Sequence, residues 1–136
     1  MRLPSATLPD EAPSRFPRSV EPVPREYLSI VAVKDRERIT LVHLDDVAWI
    51  ETAGNYVRLH AGGRTHLHRT ALTTLQQRLD PRRFVRIHRT AIVNLDRIAH
   101  LERSPRREYD VVLHDGTRLT LTPSYRTAFE EIVGEL

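Results

Sequence analysis

The segment Phe84–Leu95, FVRIHRTAIVNL, sets Arg86, His88 and Arg89 between apolar runs. An arginine offers a planar fork of N–H donors that pairs bidentately with carboxylate, phosphate or guanine, and a histidine adds a ring nitrogen that donates or accepts. In one unbroken strand, period-two alternation would turn Arg89 to the same side as Val85, Ile87, Ala91 and Val93, burying an unpaired guanidinium. The chain is therefore expected to bend near Arg89, and the short β pieces on either side would hold His88, Arg89 and Thr90 outward. A second display lies upstream. Gly54 and Asn55 tolerate a left-handed turn conformation, and the alternating YVRLH that follows sends Val57 and Leu59 inward while presenting Asn55 and Tyr56 beside Arg58. Arginine pairs with guanine and asparagine with adenine across a major groove, so these residue types fit DNA.

The charge distribution agrees. Net charge is only +3, but from Arg58 to Arg107 twelve arginines stand against Asp80, Asp96 and Glu102. Among 21 basic residues only Lys34 is a lysine. Arginine is favoured where phosphates or base edges are gripped, although high-GC codon usage produces the same bias. On such a surface Asn55, Tyr56, Arg58, Arg86, His88 and Arg89 would meet the ligand, with Arg64, Arg69, Arg82, Arg83, Arg106 and Arg107 neutralising phosphates.

At 136 residues and 40% hydrophobic content the chain can bury about two thirds of its unfolded surface as one small domain. It has no cysteine, which removes disulfides and thiolate zinc sites and fits a reducing cytoplasm. No signal peptide is visible and no apolar run approaches the roughly 20 residues of a membrane helix, so the expected location is cytoplasmic, with no membrane partner.

Residues 1–26 hold six of the nine prolines and few core formers, and read as a disordered leader or linker. From Tyr27 to Leu136 the pattern is that of a mainly β domain of small sheets with a few short helices. Strands are expected at Leu28–Val33, Arg38–Leu44, Val47–Glu51, Tyr56–His60, Arg64–Arg69, either side of Arg89, Arg97–Glu102, Tyr109–His114 and Thr117–Leu121. Asp45-Asp46 would cap one helical turn, and Gly62-Gly63 and Asp115-Gly116 mark hairpins. A helix capped by Thr70 would run to Leu79 with Leu72, Leu75 and Leu79 on its core side. A last helix capped by Ser124 would bury Tyr125, Phe129, Ile132, Val133 and Leu136. Trp49 reads as core.

No helix-turn-helix is evident, since neither helical segment is basic and the last is acidic, so any nucleic acid is expected to be met by loops and strand ends. His60, His66 and His68 could be imagined as metal ligands, but no carboxylate or thiol stands nearby at ligand spacing. Two other classes stay open. One is a metal-dependent nuclease using His88 and Asn94, which would need well-spaced carboxylates in the basic region. The other is a basic protein-interaction module with no sequence-specific DNA binding. No cofactor, metal, catalytic residue or small-molecule substrate is implied.

The blocks WIETAGNYVRLH, HRTALTTLQQRLDPRRFVRIHRTAIVNLDRI and YDVVLHDGTRLTL, in this order and spacing across Tyr27 to Phe129, resemble the LytTR DNA-binding domain, the output domain of LytTR-type bacterial response regulators. The resemblance implies small mixed or antiparallel sheets with a C-terminal helix, whose loops enter successive major grooves at paired direct repeats in promoters. It implies base contacts from the Asn55-Tyr56 turn and the His88-Arg89 loop, leaving Arg58, Arg69, Arg83, Arg86, Arg106 and Arg107 for phosphates. Relatives carry Ser-Arg just before the final Tyr; here Thr122 and Pro123 stand there, and Arg126 or Ser124 would have to replace the missing cation. Such domains most often follow a phosphorylatable receiver, for which the residues before Tyr27 are insufficient. This chain is then a fragment or a stand-alone regulator of double-stranded DNA, and the resemblance allows for a second copy on the adjacent repeat.

Overall fold

The structure is a computed structural model and describes residues 26–136. The proline-rich leader expected over residues 1–26 lies outside the described residues apart from Glu26. Ten strands follow: β1 (Ile30–Lys34), β2 (Ile39–His43), β3 (Val47–Ala53), β4 (Tyr56–Ala61), β5 (Arg64–His68), β6 (Phe84–His88), β7 (Ala91–Asn94), β8 (Ile98–Arg103), β9 (Tyr109–Leu113) and β10 (Arg118–Leu121). Helix α1 spans Leu72–Gln76 and α2 spans Pro123–Val133; single 3-10 turns occupy Leu44–Asp46 and Leu95–Arg97.

The strands form a two-stranded sheet β1-β2, a five-stranded sheet β5-β4-β3-β7-β6 and a three-stranded sheet β10-β9-β8, with antiparallel pairing throughout. The five-stranded sheet lies between two cores. On one side Ile50, Val57, Leu59, Phe84 and Ile92 pack against Val31, Val33 and Val42 of the small sheet and Leu72, Leu75 and Leu79. On the other side Val85, Ile87, Ala91 and Val93 meet Val111, Leu113, Leu119, Leu121 and Phe129. The run FVRIH…AIVN is apolar at six of its nine positions, on both faces, for this reason. It forms the strands of the middle layer, which need apolar side chains on both faces.

Three sequence expectations are corrected. Helix α1 is shorter than Thr70–Leu79 and begins after Ala71, with no side-chain cap. Thr70 turns its hydroxyl toward the Ala71 carbonyl instead (3.5 Å). Leu79 is still buried, carried inward by the turn that follows. Helix α2 is capped at Thr122, not Ser124, because Pro123 occupies the first helical position, where its missing N–H costs nothing. Phe129 is buried, yet Ile132 and Val133, on the same side of the helix, are 40% and 48% exposed, so the described residues cover the last turn only in part. Trp49 is half buried against the second core and stacks on His60, ring centroids 4.1 Å apart.

Candidate nucleic-acid interface

The bend expected near Arg89 is the β6–β7 hairpin turn. His88 pairs with Ala91 across the ladder, and Arg89 and Thr90 form the turn between them. Arg89 is exposed. His88 is held by its neighbour: the Thr90 backbone N–H donates to Nδ1 at 3.1 Å, and the Thr90 hydroxyl lies 2.8 Å from the same nitrogen. A backbone N–H can only donate, so Nδ1 is the acceptor and the ring carries its proton on Nε2. That leaves the Nε2 N–H as the ring donor that Thr90 does not engage.

The β3–β4 turn consists of Gly54 and Asn55, between paired Ala53 and Tyr56. Gly54 alone supplies the left-handed conformation, at φ 65°, while Asn55 keeps an ordinary negative φ. Asn55 and Tyr56 are exposed. Because Glu51 pairs with Ala91, both turns emerge from one end of the middle sheet, and the Thr52 N–H donates to the Thr90 carbonyl at 3.0 Å. The start of α2 reaches the same end, where the Thr122 N–H donates to the Ile87 carbonyl at 3.0 Å. Three separate chain segments therefore meet along one rim.

Several arginines share it. Arg69 follows β5 directly and lines a shallow hollow with Tyr56, His68 and Lys34. Lys34 was not singled out by sequence, since only the fold of β1 over β5 brings it beside Tyr56. Arg106 and Arg107 are exposed in the β8–β9 turn, at the end of the third sheet where Leu121 leads into Thr122; Arg107 takes φ 64°, an uncommon conformation for a residue other than glycine. Arg58 stands on β4 with its guanidinium 3.1 Å from Glu51, which also binds His60 Nε2 at 2.7 Å. Arg126 lies one turn into α2, donating to Glu130 at 3.2 Å with its guanidinium 5.3 Å from the Tyr109 ring centroid. The Leu136 N–H and then Arg126 hold the Glu130 carboxyl below the ordinary carboxylate range. Arg126 is thus engaged with its own helix, and Ser124 is exposed.

Arg83 does not belong to this group. It precedes β6, at the opposite end of the strand from the turn, and is ion-paired with Asp45. That hydrogen bond raises its pKa, against the effect of partial burial, with Asp96 and Asp80 adding to the rise. The alternation of β6 does not reveal this: strand polarity sends Arg83 to one end of the sheet and Arg89 to the other, the end where the Gly54-Asn55 turn emerges. Arg97 donates to the Asp45 carbonyl at 2.7 Å, and Asp115 lies near enough for Arg97 to depress its pKa slightly, after the larger effect of the Thr117 hydrogen bonds. Asp45, Asp80, Asp96 and Asp115 thus share the far end with Arg64, Arg82, Arg83 and Arg97, which offset their charge, whereas cations predominate at the rim. Arg86, expected at phosphates, is turned into the protein, with its fork occupied by Thr73, Gln76 and the carbonyls of His88 and Arg89.

The histidines and the nuclease pair fare differently. The register sets Leu59 opposite His66 and His60 opposite Thr65, so His60 faces away from His66 and His68 and the imagined metal site is not formed. Among the described residues no group of three or more His, Asp or Glu side chains is placed to hold a metal ion. Asn94 is 1% exposed; its amide donates to the Val47 carbonyl at 2.9 Å and its oxygen accepts from Asp96 N–H at 3.0 Å. It stands at the end of β7 away from His88, so those two cannot share a reacting group. Among the described residues no helix is long and apolar enough to cross a membrane.

Known proteins place this arrangement. The chain is 36% identical over 90 residues to the CO-responsive transcriptional regulator RcoM of Rhodospirillum rubrum, covering 66% of this chain and 37% of that protein. It is 32% identical over 116 residues to the positive alginate biosynthesis regulatory protein of Pseudomonas aeruginosa, covering 83% of this chain and 45% of that one. The chain thus spans less than half the length of these curated relatives. The solved LytTr DNA-binding domain of a Bacillus cereus response regulator superposes with a TM-score of 0.72 at 23% identity, over 79% of this chain and 99% of that one, which shows the fold. The family is a class of DNA-binding domains, not of enzymes. Its model matches residues 37–134, and the chain belongs to the LytTr DNA-binding domain family.

Proposed function

We propose that this chain is a sequence-specific, double-stranded-DNA-binding transcriptional regulator of the bacterial cytoplasm that reads promoter direct repeats as part of, or derived from, a two-component response regulator. The observation that carries it is the shared rim. The Asn55-Tyr56 and His88-Arg89 turns project from one end of the middle sheet, tied by the Thr52–Thr90 hydrogen bond, with Lys34, Arg69, Arg106 and Arg107 around them. Asn55, Tyr56, His88 and Arg89 read base edges, each good bidentate pair contributing about 1–3 kcal/mol of discrimination. Arg58, Arg69, Arg106 and Arg107 contact phosphate and set affinity and its salt dependence. With Pro123 in place of a cation, Arg126 contributes a third base contact only if it leaves Glu130, so the two turns carry most of the selectivity. Two copies on neighbouring repeats bind more tightly than one.

The test is selection from a randomised duplex library at two salt concentrations, followed by sequencing. Enrichment of paired short repeats about one helical turn apart is the expected result. Flat selection with steep salt dependence would refute sequence-specific binding and leave a basic interaction module.

A further inference from the structure

Arg86 lies on β6 on the side of the sheet that faces α1. Its Nε donates to the His88 carbonyl at 3.3 Å and its Nη2 donates to the Arg89 carbonyl. Its Nη1 donates to Thr73 Oγ1 at 3.0 Å and Gln76 Oε1 at 3.1 Å, and its guanidinium carbon lies 5.8 Å from the Tyr125 ring centroid of α2. Of the five N–H donors that a guanidinium owns, these bonds occupy four. What remains is one N–H, too little for a bidentate grip on phosphate.

The turn that Arg86 clasps has weak local reasons to hold its shape. Two-residue hairpin loops favour turn types with positive φ and glycine or asparagine in the loop, because only those match the twist of the flanking strands. Here the loop residues are Arg89 and Thr90, and the only positive-φ residue other than glycine in the described chain is Arg107. A register irregularity between Arg86 and His88 absorbs part of the mismatch. The two turn carbonyls on Arg86 absorb more of it, and the same guanidinium ties the turn to α1 and α2.

We propose that Arg86 is a positioning residue for DNA readout: it sets the conformation of the His88-Arg89 turn from within the protein and makes no phosphate contact. This rests on the proposed DNA-binding function and specifies how one of its two reading turns is held.

Arg86→Lys keeps the charge but loses the fork, and Arg89→Ala removes the base reader. Anisotropy titrations against the selected duplex and a random duplex, over a range of salt, separate the possibilities. The clamp predicts that Arg86→Lys loses about 10- to 100-fold in affinity for the selected duplex, the scale of one bidentate base contact. Binding to random duplex and the salt slope stay as in the wild type. In the Arg86→Lys/Arg89→Ala pair the loss is no greater than for Arg89→Ala alone, within about twofold, as expected when one residue acts through the other. Retained selectivity in Arg86→Lys, or additive losses in the pair, would overturn the clamp. So would an Arg86→Gln variant that loses selected and random binding alike with a shallower salt slope, since that marks a phosphate contact. If Arg86→Lys fails to fold by circular dichroism, Thr73→Ala/Gln76→Ala removes the α1 anchors of the same guanidinium and must lower selectivity without changing the salt slope. A wild-type chain that selects no sequence overturns the DNA-reading function itself, and the clamp with it; loss confined to the variants' tests leaves that function standing.

Discussion

Exchanging Arg83 and Arg89 for alanine in parallel tests the division of the domain into a reading rim and a far end. The two arginines are six positions apart in sequence and flank β6, a five-residue strand. At roughly 3.3 Å per residue, six steps along the extended chain separate them by about 20 Å. That is more than twice the Debye length of roughly 8 Å at physiological ionic strength, so a phosphate at the rim is largely screened from Arg83. Arg83 also has its own counter-ion, Asp45. Arg83→Ala is therefore expected to leave affinity for both selected and random duplex within about twofold, with an unchanged salt slope. The loss of its partly exposed ion pair should cost about 0–1 kcal/mol of stability. Arg89→Ala is expected to lose about 1–3 kcal/mol on the selected duplex and much less on random sequence. Fluorescence anisotropy from low to physiological salt reads all of these values. A salt slope reduced by about one in Arg83→Ala would show that a phosphate reaches the far end, and would refute the placement of the interface.

Three further outcomes are expected. Asn94→Ala leaves the Val47 carbonyl and the Asp96 N–H without their buried partner and should cost about 1–3 kcal/mol, read as a shift in the denaturation midpoint with little change in DNA selectivity once folded. Thr90→Val keeps the branched shape and the backbone N–H on His88 but removes the hydroxyl 2.8 Å from Nδ1; one neutral hydrogen bond of about 1 kcal/mol predicts an approximately fivefold loss on the selected duplex, and an unchanged affinity would refute the fixed ring. Burial lowers the pKa of His68 in the folded chain, so the unfolded chain binds more protons as pH falls through about 6.5. Stability should therefore decline on acidification below that pH, and His68→Gln should lose less between pH 7.5 and 5.5 in paired thermal melts.

Much of the fold was legible in local pattern. Alternation, the Gly62-Gly63 and Asp115-Gly116 turns and the charge on Arg89 point to short hairpins, because each depends on a few neighbouring residues and on the cost of burying a guanidinium. The bend at Arg89 follows from that cost alone. The helix starts were less legible. Thr70 and Ser124 are good capping residues by type, but the boundary was settled by the packing of Leu72 and by the ring of Pro123.

The sequence by itself determined the residue chemistry of the site, its arginine-rich character and the family likeness. Tertiary structure decided which of those residues stand together. Strand order brings Thr52, just before the Gly54-Asn55 turn, onto Thr90 and Lys34 beside Tyr56, across separations in sequence that no periodicity records. Strand polarity sends Arg83 to the opposite end, and the fork of Arg86 found carbonyl and amide acceptors only after β6, α1 and the turn had come together. A side chain's type says what it can bind; which partner it meets is set by long-range pairing and packing.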